Sequence, residues 1–308
     1  MRTAILIIGM LAIGCGKNKQ RDAEPAPGSG SAVGSGSSSA TAQVAAQFDA
    51  KCAAGDLEAC RSLAVMYTEG VGVANDPAKA TALFGQACNG GNLAACNQVA
   101  LALTEGLGIA KDPAKAIEVY QRTCDAGYQL ACRNLGLMFR DGRGVPPDLE
   151  RAAKLLDLAC TGKAPYACTN AGDLDSMRAG MGDAMSSAEA HFKQMIAHYK
   201  KGCDDGDPTS CRQMGIAYLE GRGLPPSSSA AAVWLDRGCR VADPIACRVL
   251  GVLRLHGKGV DQDIALGIKL MTRACALKDA EACTELKART AGPGGAGSDF
   301  GSAPNPPR

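Results

Sequence analysis

Residues 88–96 read Cys-Asn-Gly-Gly-Asn-Leu-Ala-Ala-Cys, which places two cysteines on either side of a turn-forming segment. The same spacing occurs seven times in the 308-residue chain and uses fourteen of its fifteen cysteines. The pairs are Cys52 and Cys60, Cys88 and Cys96, Cys124 and Cys132, Cys160 and Cys168, Cys203 and Cys211, Cys239 and Cys247, and Cys275 and Cys283. Successive pairs begin 36 residues apart, with one interval of 43 residues. This period indicates tandem copies of one supersecondary unit.

A turn must lie inside each cysteine pair if the two sulfur atoms are to be bonded. Residues eight apart in one helix are separated by about 12 Å along its axis, whereas a disulfide needs Cα atoms within about 7 Å. In five pairs an Asp or Asn, a good N-cap residue, stands four positions before the second cysteine. These residues are Asp56, Asn92, Asp207, Asp243 and Asp279. We therefore predict that each pair joins the end of one helix to the start of the next.

The repeated spacing favours seven local disulfides, although sequence alone leaves other pairings among these cysteines open. Metal ligation is the alternative for clustered cysteines. The chain has no Cys-x-x-Cys motif and only three histidines, His191, His198 and His256. We therefore predict that it holds no metal and no cofactor. Disulfides also require an oxidising compartment.

The N-terminal residues have the pattern of an export signal, with Arg2 before an apolar run from Ala4 to Ile13. As a helix this run would reach only about half of a hydrocarbon core of about 30 Å. Residues 11–15, Leu-Ala-Ile-Gly-Cys, resemble a bacterial lipoprotein signal, although Leu stands one position earlier than usual. The resemblance implies that Cys15, the one unpaired cysteine, becomes a lipidated N-terminus. Gly16 after it implies the outer membrane. An ordinary cleaved signal is the alternative.

Composition divides the chain into four segments. We predict a lipoprotein signal peptide at 1–15, a flexible Gly/Ser-rich linker at 16–41, a repeat domain at 42–290 and a disordered Gly/Pro-rich tail at 291–308. The predicted location is therefore the bacterial cell envelope, on the periplasmic or the surface face.

Within each repeat, a Gly-x-Gly motif begins ten residues after the second cysteine in five of the units. These motifs are at 70/72, 106/108, 142/144, 221/223 and 257/259. The first glycine suits a left-handed residue that ends a helix. Apolar residues such as Leu63, Ala64 and Tyr67 recur at helical spacing, and alternating strand patterns are absent. These features predict an all-α fold built from a helix, a glycine loop, a second helix and a short turn.

The pattern from Ala64 to Cys88, with Tyr67, Gly-Val-Gly-Val, Asp76 and Lys79-Ala80, resembles the Sel-one-like repeat, a relative of the tetratricopeptide repeat. The cysteine spacing is similar to that of the Helicobacter cysteine-rich proteins of this family. The resemblance covers residues 52–290 and implies a right-handed α/α solenoid whose helix pairs are joined by disulfides.

The same resemblance raises an enzymatic alternative, because some cysteine-rich members have been described as penicillin-binding proteins or weak β-lactamases. The chain lacks the Ser-x-x-Lys, Ser-Asp-Asn and Lys-Thr-Gly motifs of serine β-lactamases. It also lacks His-Glu-x-x-His. We therefore predict a non-catalytic scaffold that binds proteins or peptides.

The first two positions after the second cysteine of each pair are rich in arginine and amide side chains, and on stacked helices they would form a ladder. The predicted binding residues are Arg61, Asn97, Gln98, Arg133, Asn134, Asn170, Arg212, Gln213 and Arg248. Such groups suit an extended, acidic peptide. A solvated helix face without a ligand is the alternative. The net charge of +2 and the 4% aromatic content do not indicate nucleic acid.

One unit, between Cys168 and Cys203, is seven residues longer than the others. Gly180 and Gly182 are predicted to interrupt its helical pattern. Three methionines at 177, 181 and 185 could suggest a soft-metal site, but methionine more often fills gaps in packing. We predict the packing role.

Overall fold

A computed structural model describes residues 38–181 and 185–290. Within these ranges the chain forms fourteen α-helices and no strand, which confirms the predicted all-α repeat fold. The helices are α1 (Ser38–Ala53), α2 (Leu57–Glu69), α3 (Pro77–Asn89), α4 (Leu93–Glu105), α5 (Pro113–Asp125), α6 (Gln129–Asp141), α7 (Leu149–Thr161), α8 (Ala167–Met181), α9 (Met185–Asp204), α10 (Pro208–Glu220), α11 (Ser228–Arg240), α12 (Pro244–His256), α13 (Ile264–Ala276) and α14 (Ala280–Thr290). None of the helices in these ranges is both long and apolar enough to cross a bilayer. The predicted signal peptide with Cys15, most of the predicted linker and the predicted tail lie outside the described residues.

The helices form six hairpins, each with an even-numbered first helix and an odd-numbered second helix, from α2/α3 to α12/α13. Each helix packs against its neighbours in the chain, and the first helices α6, α8 and α10 also contact the next first helix directly. A stack of hairpins curves toward the side on which its helices lie closer together. The first helices therefore line the inner side of the solenoid.

All seven predicted disulfides are present, with Cα atoms 4.5–4.7 Å apart. The turn at Gly91 shows how the backbone permits this approach. The Gly91 N–H donates to the carbonyl of Cys88, and the Asn92 N–H donates to that of Ala87, which closes the end of α3. The Asn92 side chain then accepts a hydrogen bond from the Ala95 N–H and caps α4. Because Asn92 serves both helices, the two cysteines meet across a minimal turn.

The residue three positions after the first cysteine is left-handed in all seven turns. It is glycine in four turns, but in the others it is Lys163, Ala242 or Lys278. A residue with a Cβ atom in this conformation costs about 1–2 kcal/mol.

We expect Ala242→Gly to raise the free energy of unfolding by about 1 kcal/mol, because it removes this strain while increasing the freedom of the unfolded chain. Thermal unfolding of the oxidised protein measures the change. The matched control is Ala190→Gly, at an exposed position inside α9, which should lower stability by about 1 kcal/mol. If both variants are destabilised, the left-handed turn is not strained.

Both glycines of each Gly-x-Gly loop have positive φ angles. The first glycine ends the first helix as predicted, as Gly106 does by donating its N–H to the carbonyl of Ala102. The second lies against the N-terminal half of the preceding second helix. The residues it meets are Thr41, Pro77, Pro113, Phe192 and Ser228, each 31 positions earlier than its glycine. The second glycine is therefore a close backbone contact between hairpins.

This contact explains a difference from the predicted linker, which ends at residue 41. Helix α1 begins at Ser38, so residues 38–41 are helical. Gly72 packs on the backbone of Thr41 in the way that Gly108 packs on Pro77. Helix α1 thus packs as a second helix does, and the tertiary contact extends it into a Ser-rich segment of weak helix propensity.

Both helices of the long unit are longer than those of most other units. Helices α8 and α9 contain 15 and 20 residues, compared with 13 in the helices of most other hairpins. The prediction that Gly180 interrupts the helix is wrong, because α8 continues through it to Met181. No atom lies within 4 Å of the position where Gly180 would carry a Cβ atom, so no contact forces the chain to turn there. Gly182 lies outside the described residues.

Candidate functional site

The predicted ladder residues lie on the first helices, and we call the surface they form the ladder face. The side chains of Asn97 and Arg133 are buried, with 2% and 6% of their surface exposed. The remaining members are half-buried: Arg61, Gln98, Asn134, Asn170, Arg212, Gln213 and Arg248. The ladder face is therefore part of the packing between hairpins as well as part of the surface.

In the middle of the solenoid the ladder residues bond to one another across three first helices. Asn134 Nδ2 donates to Asn97 Oδ1 at 3.0 Å, which joins α6 to α4. Arg133 Nε donates to Asn170 Oδ1 at 2.7 Å, which joins α6 to α8. The structure thus brings four predicted residues into one hydrogen-bonded chain.

In the C-terminal half, the ladder arginines reach the N-cap aspartate of the next first helix. Arg212 Nη1 lies 2.8 Å from Asp243 Oδ2, and Arg248 Nε lies 3.1 Å from Asp279 Oδ2. Each aspartate also accepts a backbone N–H of its own helix. Burial raises the pKa of Asp243, although Arg212 acts in the opposite direction. These guanidinium groups therefore already have carboxylate partners within the chain.

At the N-terminal end, Arg61 pairs with Glu58 of its own helix, with Nη2 2.5 Å from Oε1. Glu58 also accepts a hydrogen bond from Asn92 of the following hairpin. The binding of a peptide by the ladder face stays a prediction. The contacts nevertheless indicate that the ladder arginines link neighbouring units.

A row of apolar side chains lies one helical turn beyond the ladder, at the fifth position after each second cysteine. We call it the apolar row: Val65, Leu101, Leu137, Ile216 and Val252, all half-buried. In the long unit the same position is Asp173. Asp173 contacts Gln213 of the next first helix, which places it on the inner side of the stack.

Asp173 is bound through one of its two carboxylate oxygens. Its Oδ1 accepts the Tyr199 hydroxyl at 2.7 Å and Gln213 Nε2 at 3.3 Å. Burial raises the pKa of Asp173, and the hydrogen bond from Tyr199 and the nearby arginines lower it in part. Burial and the Asp173 charge also raise the pKa of Tyr199, so this hydroxyl stays a proton donor.

A second polar cluster, formed by Asp157, Asp175 and His198, joins α7, α8 and α9. His198 Nδ1 lies 2.8 Å from Asp175 Oδ2, and His198 Nε2 lies 3.1 Å from Asp157 Oδ1. Burial alone would lower the pKa of His198, but the hydrogen bonds and charges of the two carboxylates outweigh it and raise the pKa to about 9. The imidazolium therefore links both helices of the long unit to α7 of the preceding hairpin.

We expect this cluster to make stability depend on pH. Because the pKa of His198 is raised above its unfolded value of about 6.5, the stabilisation is full below about pH 6.5 and is lost as pH rises through about 9. The loss should be about 2–3 kcal/mol. Urea unfolding at pH 6 and pH 9.5 measures it. His198→Gln should flatten the profile, whereas His256→Gln, at an exposed position, should retain it. An unchanged slope in His198→Gln would contradict the assignment.

The predicted site did not include Asp173, Asp175 or His198, although an internal comparison of the units indicates them. Each stands at a position where most other units have an apolar residue. Asp175 is aligned with Tyr67, Leu103, Phe139 and Tyr218, and His198 with Leu83, Val119, Leu155, Trp234 and Leu270. Three polar residues at apolar positions in one repeat indicate a local polar cluster.

The methionines of the long unit give no evidence of a metal site. Met177 and Met181 are exposed, and nothing is described for the Met185 side chain. Within residues 38–181 and 185–290, no three His, Cys, Asp or Glu side chains group as metal ligands would.

The Sel1 repeat family model matches residues 57–92, 93–128, 129–162, 208–241 and 244–279, which together make up more than half of the chain. The chain belongs to the Sel1 repeat family. The long unit that contains Asp173 and His198 lies between the third and fourth matches. Sel1 solenoids are interaction scaffolds, and the seven disulfides indicate an extracellular or envelope protein.

Solved structures share the fold of this Sel1 protein. One is c5321, a protective antigen of uropathogenic Escherichia coli with an SLR fold, at 23% identity and a TM-score of 0.63 over 79% of this chain. The match covers 51% of the antigen, so the chain spans about half of its length. A Sel1 repeat protein from Oxalobacter formigenes has 22% identity and a TM-score of 0.61, over 72% of this chain and 88% of that one.

Helicobacter pylori cysteine rich protein B also matches, with 23% identity and a TM-score of 0.36 over 46% of this chain and 96% of that one. No curated protein matches the sequence.

Proposed function

We propose that this Sel1 protein is an exported, lipid-anchored and non-catalytic scaffold that binds a protein or peptide along the inner side of its solenoid. The observation that carries the proposal is the apolar row. Half-buried aliphatic side chains stand at the same position on five of the six first helices from α2 to α12, beside ladder residues that already bond to one another. Such a row suits the apolar side chains of an extended segment.

The seven disulfides support the cell envelope as the location. They are compatible with an oxidising compartment and would not persist in a reducing cytosol. The apolar run before Cys15 and the absence of a pairing partner for this cysteine within the repeats support the lipid anchor.

Capture from envelope extracts under oxidising conditions tests the proposal. The oxidised protein is cross-linked in the extract, and the captured proteins are compared with those of Leu137→Glu, which places a charge in the apolar row. The matched control is Leu158→Glu, at an exposed position of the second helix α7. We expect partners that Leu137→Glu loses and Leu158→Glu retains. Identical capture by both variants would refute inner-face binding.

The anchor gives a separate prediction. We expect Cys15→Ala to move the protein from the membrane fraction to the soluble envelope fraction, because a protein without acyl chains loses its main membrane affinity. Metabolic labelling with an alkyne fatty acid, followed by fractionation, measures both modification and location. A variant that stays in the membrane fraction would contradict lipidation at this residue.

A further inference from the structure

Asp173 interrupts the apolar row near its middle. Three members of the row, Val65, Leu101 and Leu137, come before it along the solenoid, and two come after it. An extended segment that lies along the row would therefore meet aliphatic side chains, then a carboxylate, then aliphatic side chains again. The partner should therefore carry a polar or charged group, rather than an aliphatic one, at the position that contacts Asp173.

The charges around Asp173 determine the sign of the charge that this partner group should carry. Three arginines act on it electrostatically: Arg140, Arg212 and Arg222. Each is paired with another carboxylate, at Asp141, Asp243 and Glu220, with nitrogen and oxygen atoms 2.7–2.8 Å apart. Among the residues that the structure describes, Asp173 forms hydrogen bonds only to the uncharged Tyr199 and Gln213. The local excess charge is therefore negative.

The geometry leaves one oxygen of this carboxylate for a ligand. Both hydrogen bonds end on Oδ1, and Oδ2 accepts none from the described residues. A half-buried carboxylate without a cationic partner is costly, and a cation that displaces the remaining water would relieve this cost. An acidic ligand would be repelled at the same point.

We infer that the inner side of the solenoid binds an extended segment whose aliphatic side chains lie on the apolar row and whose lysine or arginine side chain pairs with Asp173 Oδ2. The inference rests on the proposed function and adds the chemistry of the partner. It differs from the acidic peptide expected from the ladder arginines, because those arginines already pair within the chain.

Selection from a phage library of random ten-residue peptides tests the inference on the oxidised full chain. Enriched peptides are synthesised, and their affinities are measured by calorimetry for the natural protein and for Asp173→Asn. This variant retains the shape and one acceptor oxygen but removes the charge. Glu118→Gln is the matched control, since it removes one negative charge from the exposed surface of the second helix α5.

We expect enriched peptides with a lysine or arginine between aliphatic residues. Asp173→Asn should weaken their binding about tenfold or more, and Glu118→Gln should leave it unchanged. Replacing the basic residue by norleucine should have a similar effect in the natural protein and none in Asp173→Asn.

Two other outcomes would overturn the inference and are distinguishable. Peptides that bind the inner side, as judged by loss of binding in Leu137→Glu, but are acidic or insensitive to Asp173→Asn would refute the cationic partner and leave the proposed function standing. Binding that Leu137→Glu does not affect, or the absence of any enriched peptide, would refute both.

Discussion

Complete reduction of the seven disulfides is expected to unfold the solenoid at room temperature. Each bridge closes a loop of nine residues and contributes about 2.6 kcal/mol on the loop-entropy model. The loops do not overlap, so seven bridges contribute about 18 kcal/mol, which exceeds the total stability of about 5–15 kcal/mol that is typical of a domain. Far-UV circular dichroism of the reduced and alkylated protein should show the loss of most helical signal.

Removal of single bridges refines this expectation. Cys124→Ser with Cys132→Ser breaks a buried bridge in the middle of the stack, whereas Cys275→Ser with Cys283→Ser breaks a half-exposed bridge at its end. In a linear array the central change should uncouple the two halves, and the terminal change should only fray α14. Thermal unfolding should therefore show two transitions in the central variant. A reduced protein that keeps its helical signal and its unfolding temperature within about 5 °C would contradict the role of the bridges.

Gly108→Ala is expected to lower the free energy of unfolding by about 3 kcal/mol. Gly108 has a φ angle of +67°, and a left-handed alanine costs about 1–2 kcal/mol. An added Cβ atom would also lie 2.0 Å from the carbonyl oxygen of Pro77. Because backbone on both sides must move to relieve this contact, the overpacking adds about 1–3 kcal/mol. Urea unfolding of the oxidised protein measures the loss.

The variant Gly91→Ala separates the cost of the left-handed conformation from the cost of overpacking. Gly91 also has a positive φ angle, +98°, but no atom lies within 4 Å of its Cβ position. This variant should therefore lose only the conformational part, about 1–2 kcal/mol. Equal losses in the two variants would show that the contact between the glycine loop and the preceding hairpin contributes nothing to stability.

The helical hairpins could be predicted from sequence because their determinants are local. The N-cap aspartates, the glycine that ends five of the first helices and the paired cysteines all act within about ten residues. The start of α1 could not be predicted in the same way. Its first turn is Ser-rich, and the Gly72 loop, 31 residues later, packs on Thr41.

The same distinction between local and long-range determinants applies to the candidate site. Internal repetition places Arg133, Asn134, Arg212 and Arg248 on one side of the first helices, as expected. Their partners, however, belong to neighbouring units of the stack and are 31–37 residues away in the chain. The sequence alone predicts that these groups are available to a ligand, because it does not show the hydrogen bonds that they make across a packed interface.

The period and the helical hairpins follow from the sequence, and the repeated spacing favours the seven local disulfides and the resemblance to a repeat family, since each depends on short-range spacing or on recurrence. Which charges compensate one another depends instead on how the hairpins stack. Electrostatic pairing depends on distances of a few ångströms between residues of different hairpins. Stacking brings Arg212 and Arg248 to the aspartates of the next unit and encloses His198 between two carboxylates. It leaves Asp173 without a cationic partner among the residues that the structure describes.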